Sequence, residues 1–280
     1  MCESLGEFVN QRTLDIAGTA SFESRQTADR RLMEQGLVVI SESELKSTTK
    51  LGAGETSIVF EGIYKGIDVA VKNYLVFNYS YAVKKYQILT ILNSYPNIPH
   101  PFGVVRGAIP KLVISLPSSS VPLLKVKLDS EENLCRLTAG LIDAVTYMHQ
   151  SGILHNNINC KNILVNTING TPTICGFSHT CLVNDAVIIP QPKLVLFGEE
   201  CCLPAKVKNR TLKVSAQSDI YCLGYTLRWH TRGQYFPDSK VCLAVSSFAA
   251  ECLGLISDRP MTNARLAESA AEFSRLMDRR

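Results

Sequence analysis

The chain has 280 residues, a formal net charge of +4, 46% apolar residues and 19% charged ones. This describes a globular protein with length for one large domain or two lobes around a cleft, and no basic tract able to follow a nucleic-acid backbone. Ten cysteines without a C-x-x-C pair, no signal-peptide pattern, and no apolar run near the roughly 18 residues that span a bilayer lead to the expectation of reduced thiols and a cytoplasmic protein without a membrane partner.

Residues 1–36 are polar and read as an extension with little core of its own, in which Ala28 to Gln35 could form a short helix. Leu37-Val38-Val39-Ile40 opens a β-rich region, and Leu51 to Val71 predicts two or three strands joined by tight turns at Gly52, Gly54 and Lys65-Gly66. Val69-Ala70-Val71-Lys72 ends one of these strands. Tyr81 to Leu92 predicts a helix, with Ile88, Leu89 and Leu92 at helical spacing, and Val104 to Leu116 predicts two strands. Pro117-Ser118-Ser119-Ser120-Val121-Pro122 breaks the pattern and marks a boundary between units at 37–116 and 117–280. Beyond it, apolar residues at 134, 137, 141, 144, 145 and 148 predict a helix over Leu134 to Gln150, and Arg265 to Met277 predicts a last one.

Between the boundary and the last helix lie three further stretches: His155-Asn156-Asn157-Ile158-Asn159-Cys160-Lys161-Asn162-Ile163-Leu164-Val165, Cys175-Gly176-Phe177-Ser178 and Ser218-Asp219-Ile220-Tyr221-Cys222-Leu223-Gly224. In this order and spacing, the chain from residue 37 to about 277 resembles the protein kinases. The resemblance implies an α+β, bilobal protein kinase-like fold, with a small β-rich N-lobe and a mainly helical C-lobe. Gly52 and Gly54, with Ser57 at the third glycine, match the family's glycine-rich loop, and Lys72 matches the lysine that holds the nucleotide's α- and β-phosphates. Val59, Ala70 and Leu164 match positions that pack around adenine, and Ile114 matches the gatekeeper. Leu89, His155 and Phe177 match the regulatory stack, with Asp219 expected to cap backbone amides of the catalytic loop.

Against that pattern the charge-bearing positions are altered. Asn157 stands where the family has its proton-accepting aspartate, and an amide has no basic oxygen for a hydroxyl proton. Gly176 stands where an aspartate holds magnesium, leaving Asn162 retained alone, and Ala205 replaces the glutamate of the A-P-E motif. The helix glutamate that pairs with the lysine is replaced by Lys85, and no Asp or Glu occurs between Asp68 and Asp129, so a buried Lys72 must find another partner or shed its proton. These losses give the expectation of a catalytically inactive pseudokinase, not an enzyme. No metal and no required cofactor are expected, ATP without metal being compatible with Lys72 and the glycine loop.

Leu37-Val38-Val39-Ile40, Leu154-His155-Asn156-Asn157-Ile158, Cys175-Gly176-Phe177 and Asp219-Ile220-Tyr221 are most similar to the receptor-interacting kinases and the mixed-lineage kinase domain-like pseudokinases. That branch implies a decoy or regulator, of the kind a virus would carry, which engages a receptor-interacting kinase in the host cytoplasm and inhibits necroptotic signalling without a membrane-attacking four-helix bundle. The alternatives are a weak or atypical ATP-dependent Ser/Thr protein kinase, and an allosteric scaffold of another kinase.

Overall fold

Alternation along one strand decides how the first half of the chain packs. In Ile67–Tyr74 (β4), Val69 and Val71 join a cluster with Ile40, Leu45, Tyr64, Val105 and Val113, while Tyr74 joins the main core. Side chains two apart share a face, so Lys72 lies on the Tyr74 side. A computed structural model describes residues 36–54, 57–92, 95–128, 130–185, 214–232, 239–255 and 261–278. The expected helix at Ala28 to Gln35 and the stretch Leu203-Pro204-Ala205 lie outside them.

Around β4 the strands Val39–Ile40 (β1), Leu45–Ala53 (β2), Ser57–Tyr64 (β3), Pro101–Val105 (β5) and Lys111–Ser115 (β6) form a six-stranded sheet in the order β1-β5-β6-β4-β3-β2. Its neighbours are antiparallel except β1 with β5. The helix Tyr79–Ile91 (α1) packs on β5 and β6 and starts two residues earlier than its apolar spacing predicts. Asn78 explains the difference, because its side chain accepts from the Tyr81 amide and caps an otherwise orphaned donor.

The second half is mainly helical. Glu131–Gln150 (α2) is capped by Ser130 and buries Leu134, Leu137, Leu141, Ala144, Val145 and Met148 completely. Ala216–Thr231 (α3), Lys240–Cys252 (α4) and Asn263–Asp278 (α5) follow, α5 packing on α2 and α4 on α3. A Cβ on Gly224 would stand 2.5 Å from the Cys252 Cβ, so the approach of α3 to α4 depends on that glycine.

The boundary stretch is more ordered than its prolines suggest. Ser120–Pro122 (β7) pairs with Ile163–Asn166 (β9), which also pairs with Pro172–Ile174 (β10). Pro122 is tolerated because it is the last residue of β7, an edge strand of this sheet. A last antiparallel pair joins Ile153–Leu154 (β8) to Cys181–Leu182 (β11). The result is an α+β, bilobal fold, a β-sheet N-lobe on a helical C-lobe. No helix among the described residues is long and apolar enough to cross a membrane.

Candidate functional site

The loop after β8 is shaped by one carboxylate. Asp219, fully buried in the first turn of α3, accepts from the backbone N–H of His155 and of Asn156, both at 2.7 Å, and lies 3.2 Å from His149 Nε2. His155 Nε2 donates to the Cys175 carbonyl at 2.8 Å and its Nδ1 accepts from the Asn157 amide at 3.2 Å, which fixes the neutral tautomer. Burial pushes its imidazole down to about 4, so it stays neutral near pH 7. Its ring meets Phe177 edge-on at 5.0 Å, and Leu89 is buried in the same core. Asn156 sits at φ 62°, a left-handed conformation that asparagine accepts more readily than most residues, and its Nδ2 donates to the His179 carbonyl at 3.1 Å.

Past Asn156 the loop is a network of amides. Asn159 Nδ2 donates to the Asn157 carbonyl at 3.1 Å and to Asn157 Oδ1 at 2.9 Å, and Asn162 Nδ2 donates to the same carbonyl at 2.8 Å. Gly176 faces this network in a left-handed conformation, φ 79°. A Cβ on it would lie 2.3 Å from Asn162 Cγ and 2.4 Å from Asn162 Oδ1, so the Asn162 amide fills the space a side chain at 176 would need.

On the sheet side Lys72 has found its partner. Its Nζ donates to Ser178 Oγ at 2.8 Å, the Ser178 carbonyl accepts from the Tyr81 hydroxyl at 2.5 Å, and Lys85 Nζ donates to the Thr180 carbonyl at 2.8 Å. Lys85 also lies 4.9 Å from the centre of the Tyr81 ring, which stacks on Phe77 at 3.9 Å. Burial pushes both lysines down to about 8, and for Lys85 the neighbouring Lys84 and Lys72 add to the effect. Sequence reasoning placed Lys85 on this helix but missed Ser178 and Tyr81 as partners. The available signal was the i, i+4 spacing of Tyr81 and Lys85 on one face of α1.

Residues 45–229 match the profile of the protein tyrosine and serine/threonine kinases. The chain belongs to this kinase family. It is 26% identical over 250 residues to a probable LIM domain-containing serine/threonine-protein kinase of Dictyostelium discoideum, covering 85% of this chain and 36% of that protein. A second such protein from the same organism is 27% identical over 239 residues, covering 81% of this chain and 23% of its own length. The ankyrin repeat-containing protein kinase A of that organism is 30% identical over 142 residues, 48% of this chain and 10% of the relative. The chain thus spans little more than a third of the first of these relatives and less of the others.

Membership corrects one expectation. Three missing carboxylates suggested a protein that is not an enzyme, yet the matched family is one of kinases and these relatives are named as kinases. The physical reason is that those substitutions remove or invert charge and leave the kinase scaffold standing. Phosphoryl transfer in this family passes through a loose transition state served mainly by positioning and electrostatics, so a missing base does not by itself end catalysis.

The kinase cleft fits the two groups the family uses unequally. Across the strands Gly52 pairs with Val59 and Val59 with Lys72, so glycine hairpin and lysine are adjacent. Among the described residues, no atom lies within 4 Å of a Cβ built on Gly52, and only the Ser57 carbonyl, at 3.9 Å, near one built on Gly54, which leaves this backbone open to a phosphate. Ala70 is buried and Val59 and Leu164 half-buried, Leu164 on β9 opposite Pro122 and Thr173. These residues suit a nucleotide. Magnesium is not suited: it prefers hard anionic oxygens, the loop offers amides, and Asn162 blocks a side chain at 176.

Proposed function

We propose that the chain is a slow, atypical ATP-dependent Ser/Thr protein kinase domain that takes ATP without a metal. The supporting observation is the Lys72 ammonium, held at 2.8 Å by Ser178 beside an open glycine hairpin. In this reading Lys72 and the Gly52 and Gly54 backbone meet the phosphates, and Val59, Ala70 and Leu164 cover the base. Asn157, its Oδ1 accepting from Asn159, orients a substrate hydroxyl but cannot take its proton, which leaves with solvent. Low turnover is the consequence.

Phosphoryl transfer from radiolabelled ATP to a Ser/Thr protein substrate, at micromolar protein, tests the reading. Label incorporated by the wild type and lost in Lys72→Met supports it, and equal label in both sinks it. The resemblance of the loop at Leu154 to Ile158 further supports a receptor-interacting kinase as protein partner, with necroptotic signalling as the context. Absence of co-precipitation with such a kinase would remove that part.

A further inference from the structure

The cleft has lost its metal site and gained a cation, and the two changes belong together. In the family a glutamate on α1 neutralises the strand lysine, and metal ions neutralise the phosphates. Here the side chain turned inward from α1 is Lys85, only 4% exposed. Lys72 and Lys85 are tied to the two ends of one short stretch, Ser178 and Thr180, and the Tyr81 hydroxyl donates to the carbonyl of Ser178 itself. Among the described residues, neither has a carboxylate as a hydrogen-bond partner. Lys72 stands beside the glycine hairpin and Lys85 shares its short stretch of partners. Two poorly compensated ammonium groups so linked favour a polyanion, because buried positive charge is costly until an anion meets it. Each ammonium carries three donors, of which these contacts use one, so both keep donors for a phosphate oxygen without giving up their present bonds.

We propose that Lys85 is a second phosphate-binding residue, standing in for the metal ion, so that this chain binds nucleoside polyphosphates in the absence of divalent cations. The proposal rests on the nucleotide-binding part of the reading above. It gives the inverted charge at position 85 a role beyond holding the helix: Lys72 and Lys85 approach the polyphosphate from β4 and α1, where the family uses one lysine and a metal. An exchange of glutamate for lysine is then a change of ligand chemistry.

Thermal stabilisation of the full chain is measured with ATP and with inorganic tripolyphosphate, each in EDTA and in magnesium, for the wild type, Lys85→Gln, Lys85→Arg, Lys72→Met and Lys84→Gln. The expected result is stabilisation in EDTA by both probes, affinity at least about tenfold weaker in Lys85→Gln and Lys72→Met, and near-wild-type affinity in Lys84→Gln and in the charge-keeping Lys85→Arg. If Lys85→Gln does not fold, loss of binding in Lys72→Met with retention in Lys85→Arg carries the test. Unchanged affinity in Lys85→Gln overturns the proposal and leaves Lys85 a structural residue. Stabilisation by ATP only with magnesium overturns it too, together with the metal-free part of the kinase reading, and leaves ATP binding itself standing. No stabilisation by ATP under either condition removes both.

Discussion

Asp219 in the helical lobe and the pair Lys72 and Lys85 in the sheet lobe are charges withdrawn from water, Lys72 half and the other two almost wholly, and they are compensated in different ways. Asp219 accepts two short bonds from backbone amides fixed by the loop they belong to, so the anion and the loop conformation hold each other. The lysines rely on one hydroxyl, one carbonyl and two aromatic faces, Tyr74 for Lys72 and Tyr81 for Lys85, which moderate an ammonium without neutralising it. The difference separates a structural charge from a functional one. Compensation built into the fold serves stability, and compensation left incomplete leaves a demand that a ligand can meet.

The largest effect expected from breaking this comparison is at Asp219. Asp219→Ala orphans the buried N–H groups of His155 and Asn156, each worth about 1–3 kcal/mol, so a loss of roughly 3–5 kcal/mol is expected as a shift in the urea midpoint. A shift below about 1 kcal/mol would mean that the loop keeps its shape without the carboxylate.

Next in size is an attempt to restore the metal ligand. Gly176→Asp puts a Cβ into the Asn162 amide at a left-handed position, and a loss of roughly 1–3 kcal/mol is expected. Adding Asn162→Gly clears the space, so the double variant should be more stable than the sum of the single changes predicts, a coupling that a double-mutant cycle in urea measures. Strict additivity would show that Asn162 swings away unaided.

What the sequence made legible follows from what each contact depends on. Asp219 and the stripe of α2 could be read because a motif and a helical period report local geometry. The contacts of Ser178 and Asn162 could not. Lys72 meets Ser178 across 106 positions of chain, and Asn162 blocks Gly176 only because β9, β10 and the loops around them fold back on each other. The missing carboxylates were equally visible, but they invited the inference of an inactive protein because sequence reports which charges are lost more readily than which replace them. Lys85 was the visible clue, since a cation where an anion is usual changes the electrostatics of the cleft rather than simply deleting a partner.

The last expected effect is the one that isolates the lysines, and it is spread over a range of pH. Each titrates in the folded chain at about 8 against 10.5 in the unfolded chain, so between these values the unfolded state binds more protons. Stability must therefore rise with pH across this window, by at most about 1.4 kcal/mol per pH unit for each lysine. Below about pH 8 both states are protonated and the penalty is present in full; above about pH 10.5 it has been relieved. Urea unfolding at pH 7.5 and 9.5 should show the rise, and Lys85→Met should remove about half of it. Saturating tripolyphosphate should also flatten the slope, because an anion on the ammonium groups raises their folded-state pKa toward the unfolded value. A slope that survives both changes would assign the pH dependence to groups outside the cleft, and the two lysines would then be as well compensated as Asp219.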